Sequence, residues 1–186
     1  MDLGFLGKKD TVLVVVDVQE RLAPVIFEFK RVVKSVKKLV EGFRVLGMPV
    51  IVTEQYPQGL GVTVASVGES LGDFRPVEKT CFSCFREGNF MKELKKTRRK
   101  NIVLVGIESH VCILKTALDA ISKGYRVHVP IDGISSLRQS DYHAALERLK
   151  QAGVFMASSE MILFQLMEDS KESEFKRLAE VIKKYA

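Results

Sequence analysis

Asp17, Lys79 and Cys112 are the residues of this chain best placed to do chemistry together. Each stands at or just beyond the carboxyl end of a strand-like run: Asp17 after Thr11–Val16 (TVLVVV), Lys79 at the end of a brief extended piece, and Cys112 a few residues after the run 102–105. A carboxylate can take a thiol proton and later hand it to a leaving amine, while an ammonium steadies the thiolate formed in between. Ser109, three residues before Cys112, is positioned to cap the helix that follows. The thiol would then sit in a first helical turn, where unpaired backbone N–H groups and the helix dipole favour the anion. Singly, each residue has a plainer role open to it: Asp17 as a cap, Lys79 as a surface charge, Cys112 as a small core residue.

Bringing three such distant positions together requires a sheet whose strand ends share one edge. The continuous β-branched run Thr11–Val16 predicts a strand covered on both faces, as at the centre of a parallel sheet. Over 29–46, Val32, Val33, Val36, Leu39, Val40, Phe43 and Leu46 recur among Lys and Arg, which predicts an amphipathic helix stopped by Gly47 and Pro49. A strand follows at 50–53, then a turn-rich stretch, 54–72, read as a long loop at the same edge as Asp17. Further on, the pattern predicts a short strand at 77–79, a helix over 90–96, a strand at 102–105 and a helix over 113–123 ended by Gly124. Next come a strand at 125–131, a helix over 140–152 closed by Gly153, a strand at 154–157, a helix capped by Ser158 or Ser159 and running to Met167, and an amphipathic helix over 172–184. Strands and helices alternate throughout. That order predicts a three-layer αβα, Rossmann-like fold around a parallel sheet of about six strands, with ligands at the carboxyl edge where the strand order reverses.

With 186 residues, 46% hydrophobic and 28% charged, the chain has the core of a single domain, 1–186. No apolar run approaches the roughly 20 residues that span a bilayer, and the first residues lack the pattern of a signal peptide, so the expectation is a cytoplasmic protein with no membrane partner. Three cysteines are an odd number, which favours reduced thiols. The formal charge of +6 and the run 92–100 (KELKKTRRK) raise nucleic acid as a partner. No aromatic residues interleave with that run, and a solvated helix face accounts for it, so no nucleic-acid partner is expected. Cys81 and Cys84 form a C-x-x-C. A redox pair would need the first cysteine at a helix start, and a metal site would need a second pair.

Three segments, VVVDVQ ending at Gln19, EKTCFS around Lys79 and VGIESHVC ending at Cys112, resemble in order and separation the signature segments of the isochorismatase-like cysteine hydrolases. The likeness runs to about Leu166, and the loop QYPQGLG is most similar to the uncharacterised isochorismatase-domain hydrolases. It implies Asp17 as acid and base, Lys79 as the charge beside the thiolate and Cys112 as nucleophile. It also implies a cis peptide between Ile107 and Glu108, and an oxyanion hole formed by the backbone N–H groups of Glu108 and Cys112. Metal-dependent nicotinamidases of this group carry an Asp and two His where this chain begins Thr53-Glu54-Gln55-Tyr56, and His110, His128 and His143 lie far downstream; no metal and no cofactor are therefore expected. Isochorismatases proper lack the nucleophilic cysteine, so Cys112 turns the expectation toward a small amide or related acyl substrate. Gln19, Tyr56, Phe82 and Phe85 are candidate substrate-binding residues from position alone. Family members commonly associate, which implies a homo-oligomer. Two other readings stay open: a non-catalytic protein binding a metabolite or a partner on the same scaffold, and a thiol oxidoreductase using Cys81 and Cys84.

Overall fold

A computed structural model describes residues 2–186. Strand β1 (Thr11–Val16) leads through α1 (Phe29–Val45) to β2 (Val50–Gln55), then through α2 (Pro57–Leu60) and α3 (Ala65–Leu71) to β3 (Val77–Lys79). Helix α4 (Gly88–Thr97) precedes β4 (Asn101–Ile107), and α5 (Leu114–Ser122) precedes β5 (Arg126–Pro130). The chain finishes with β6 (Ile134–Ser135), α6 (Gln139–Gln151), β7 (Phe155–Ala157), α7 (Ser159–Gln165) and α8 (Phe175–Lys184). The strands form a sheet in the order β3-β2-β1-β4-β5-β7, with β6 pairing the end of β4, and every ladder is parallel. This is the expected three-layer fold, with the two-residue β6 added to the six strands that the sequence pattern predicts.

Side chains alternate across β1. Val12, Val14 and Val16 join a core with Ile102, Leu104, Phe90, Leu94 and Ile113, whereas Leu13 and Val15 face Val32, Val36, Leu39 and Phe43 of α1 on the opposite side. Both faces of β1 are therefore dry, which is why its sequence is continuously apolar rather than alternating. Helix α1 ends where Gly47, at φ +63, lets the Gly47 N–H reach Arg44 O and the Met48 N–H reach Phe43 O, the paired bonds of a glycine-terminated helix.

The stretch 54–72 differs from its expected form. Residues 54 and 55 continue β2, and the rest holds α2 and α3. Gly59, Gly61 and Gly68 obscure the periodicity there, although Val64, Val67 and Leu71 keep helical spacing. No helix among the described residues is long and apolar enough to cross a membrane.

Candidate active site

The strand order reverses between β1 and β4: the chain builds outward from β1 through β2 to β3, then returns to β1's other side. Asp17 follows β1 directly and Cys112 follows β4, so both lie at the carboxyl edge where a doubly wound sheet opens a crevice. Register holds the two ends together. Val16 pairs with Gly106, and a Cβ on Gly106, whose φ is +117, would stand 1.9 Å from Val16 O. Only glycine permits that approach. Asp17 itself has φ +53, a left-handed conformation that Asp enters more easily than most residues, and it takes the chain out of the sheet.

Lys79, ending β3, reaches across β2 to these groups. Its Nζ donates to Asp17 Oδ2 at 2.6 Å and to Gln55 Oε1 at 2.8 Å, and stands 3.8 Å from Cys112 Sγ. The Asp17 and Lys79 side chains are 1% and 0% exposed, so this is a dry ion pair. Thr53 Oγ1 donates to the other carboxylate oxygen, Asp17 Oδ1, at 2.7 Å. Alternation along β2 puts Thr53 and Gln55 on the side of the triad, with Glu54 between them pointing elsewhere. Thr53 and Gln55 are not among the expected site residues; their spacing of two on a strand beside Asp17 is the signal in the sequence.

The turn carrying Cys112 is not the expected one. Ser109 lies inside a π-helical turn, Ser109–Ile113, whose N-cap is Glu108, and Ser109 Oγ is buried without a hydrogen-bond partner among the described residues. The Glu108 carbonyl accepts the N–H groups of Val111 and Ile113, skipping that of Cys112. The Ile107–Glu108 peptide is cis. The Glu108 side chain turns to the next loop, where Oε2 accepts from the Leu137 N–H at 2.7 Å, and His110 Nδ1 pairs with Ser136 Oγ at 2.9 Å. Burial and then the Asp17 carboxylate push the Cys112 thiol far above its ordinary pKa, with Lys79 pulling the other way. This corrects the expectation of a thiolate favoured at rest: the turn and Lys79 do not outweigh desolvation and Asp17. Burial also works against the Lys79 ammonium, but Asp17 and Cys112 outweigh it and raise its pKa.

A cavity of about 110 Å³ opens on Cys112 and Asp17. Leu22, Leu60, Phe82, Ile107 and Val111 form its apolar wall, and Gln55 and Glu108 its polar edge. Of the four candidate substrate residues, Phe82 lines it. Gln19 is buried and structural: its Nε2 donates to Gln55 O and Gly61 O, and its Oε1 accepts from Gln55 N. Tyr56 is exposed and lies against Gly59 instead of the cavity. Phe85 faces the core, its ring tilted against Phe90 and edge-on to Tyr125. A larger groove of about 640 Å³ lies beside β3, between Phe74, Arg75 and Glu93, and contains none of the triad.

Cys81 and Cys84 are both free thiols. Cys84 opens a buried single turn, its N–H bonded to Thr116 Oγ1, and burial followed by Asp17 pushes its thiol up to about 12. Unlike Cys112, Cys84 is fully buried and does not line the cavity, which does not suit a redox nucleophile. Where metal-binding relatives begin their ligands, Glu54 is buried and its Oε1 accepts from both Thr63 N and Thr63 Oγ1 at 2.7 Å. Among the described residues, no three His, Cys, Asp or Glu side chains come together as a metal-binding group.

Residues 11–161 match the sequence profile of the isochorismatase domain. The mouse isochorismatase domain-containing protein 2A is 39% identical over 182 residues, 97% of this chain and 86% of that protein. Its human counterpart, isochorismatase domain-containing protein 2, is 38% identical over 99% of this chain and 88% of its own length. Among solved structures, one described as the MAR1 ribonuclease of Caenorhabditis elegans superposes with a TM-score of 0.91 at 36% identity, covering 97% of this chain and 93% of that one. The YcaC protein of Escherichia coli, described as an octameric hydrolase of unknown specificity, superposes with a TM-score of 0.90 at 23% identity, over 100% of this chain and 94% of its own; at that identity the likeness concerns the fold.

Proposed function

Because the chain belongs to the isochorismatase family, we propose that it is a metal-independent cysteine hydrolase that cleaves a small amide or related acyl compound through a thioester. The observation that carries this reading is the dry contact set of Asp17, Lys79 and Cys112 beneath one small cavity. In the first step Asp17 takes the Cys112 proton as Sγ bonds to the substrate carbonyl carbon, and the oxygen becomes an oxyanion held by the backbone N–H groups of Glu108 and Cys112. The tetrahedral centre collapses, the C–N bond breaks, and the proton on Asp17 goes to the leaving amine. Asp17 then takes a proton from water as its oxygen attacks the thioester; the acid leaves and the thiol recovers the proton. Lys79 holds the carboxylate and offsets each sulfur anion as it forms.

The high resting pKa of Cys112 fits this scheme, since the thiol gives up its proton only in concert with attack. It is also the one observation on the side of a second reading, a non-catalytic protein that binds a metabolite or a partner. As to substrate size, about 110 Å³ is well below the roughly 300–1,000 Å³ of sites for drug-sized ligands. A nucleic-acid strand does not enter such a space, so the ribonuclease name of the nematode protein is not transferred to this chain. Self-association is part of the same proposal; the E. coli protein that shares the fold is described as octameric.

The deciding experiment is ammonia release from a panel of small amides, with wild type and Cys112→Ala side by side and an RNA substrate as a further arm. Turnover by wild type that Cys112→Ala loses supports the hydrolase. A blank panel with Cys112 inert to alkylation supports the binding protein, and RNA cleavage unaffected by Cys112→Ala would refute both.

A further inference from the structure

The charge of the cavity lining restricts what can enter. Asp17 brings a carboxylate to the lining, the Glu108 carboxylate is turned to the Leu137 N–H, and among the described residues no Lys, Arg or His belongs to the lining. The nearest cation, Lys79, lies behind Asp17 with its Nζ bonded to that carboxylate and to Gln55 Oε1. Gln55 is held at both ends of its amide, since its Nε2 donates to the Thr80 carbonyl at 2.7 Å. Most of the remaining wall is hydrocarbon: Leu22, Leu60, Phe82, Ile107 and Val111. A carboxylate or phosphate entering this space would lose its hydration against apolar side chains and meet the Asp17 carboxylate, whose partner Lys79 is already paired.

We infer that the cavity takes an uncharged acyl compound with a short aliphatic group, and excludes anionic analogues of the same size. At about 110 Å³ the cavity is well below the roughly 300–1,000 Å³ of a drug-sized site, which keeps the acyl group short. The acyl chain lies against Leu22, Leu60 and Phe82, with the carbonyl over Cys112. The identity of the reaction rests on the hydrolase reading, whereas the charge preference is a property of the space around Cys112 and is measurable without turnover.

The full-length protein is alkylated with iodoacetamide and, separately, with iodoacetate, which differ little in size and by one negative charge. The rate at Cys112 is followed by peptide mapping, with glutathione in the same buffer as the reference thiol. Iodoacetamide is expected to be preferred at Cys112 by about 30-fold or more beyond its preference at glutathione. Leu60→Arg, which adds a cation to a half-buried wall position, is expected to narrow that preference about tenfold. Equal rates, a preference for iodoacetate, or a Cys112 inert to both reagents would each overturn the inference. In the amide panel, isobutyramide should exceed its near-isostere oxamate in kcat/KM by about 100-fold; oxamate turned over as well as isobutyramide overturns the charge preference while leaving the hydrolase standing. Charge-selective alkylation without turnover of any amide leaves the preference standing and removes the hydrolase.

Discussion

Lys79 lies within reach of both an acid and a thiol, and its two contacts, 2.6 Å to Asp17 and 3.8 Å to Cys112, predict opposite outcomes for two substitutions. Asp17→Asn removes the neighbouring anion that raises the thiol pKa, so alkylation of Cys112 should be unchanged or faster while hydrolysis is abolished, because an amide can neither take the thiol proton nor return it. Lys79→Ala removes the cation that pulls that pKa down and should slow alkylation. Stopped-time peptide mapping beside an ammonia assay separates the two, and an Asp17→Asn variant that still hydrolyses would move the base elsewhere. At this scale the sequence was informative about charge and chemistry but not about direction. Gln19 and Phe85 stand close to triad residues in the chain and Tyr56 follows the carboxyl end of β2, yet their side chains point into a hydrogen-bond network, into the core and outward, respectively. Leu22 and Leu60 resemble any other leucine until the turn carrying Leu22 and helix α2, which ends at Leu60, converge on the cavity.

Strand β2 illustrates what an element contributes. Its period of two gives Thr53 to Asp17 and Gln55 to Lys79, so one strand between the two charged residues holds both in place. Gln55→Leu keeps the shape but removes an acceptor from a buried ammonium, a bond to a charged group worth about 1.5–3 kcal/mol. A fall in kcat/KM of about 10- to 100-fold is expected, with Gln55→Glu recovering part of it; kinetics unchanged in Gln55→Leu would make the contact incidental. The β1–β4 junction is stricter. Gly106→Ala sets a Cβ against Val16 O in a left-handed backbone and should destabilise the fold by more than about 3 kcal/mol, read as a lowered denaturant midpoint. The long strands and α1 were legible because their patterns extend over many residues with clear stops. Helices α2 and α3 are short and glycine-bearing, and the π turn at Cys112 differs from an α-turn by one residue's hydrogen bond, a distinction that side-chain periodicity does not carry.

Across the whole molecule, one buried titratable group outside the site is His128 on β5, stacked on Phe155 with ring centroids 4.8 Å apart. Burial, then Arg126, push its pKa down from 6.5 to about 4. The unfolded chain therefore binds the extra proton first as pH falls, so stability is complete above about pH 6.5 and is lost on the way down to about pH 4, by up to about 3 kcal/mol. Urea unfolding at pH 7 and pH 4.5 should show that loss in wild type and a smaller one in His128→Phe; parallel losses would assign the acid sensitivity to other groups. The strand order has a consequence of another kind. Asp17, Lys79 and Cys112 arrive on three separate crossovers, and none of their mutual contacts is local in the chain. Non-local parallel pairing is slow to form. The thiol of Cys112 thus reports on assembly: it does not distinguish neutral from anionic reagents in species in which β4 has not docked on β1, and distinguishes them once Asp17 and the apolar wall are around it, so that pulse-labelling with iodoacetamide and iodoacetate during refolding times that join.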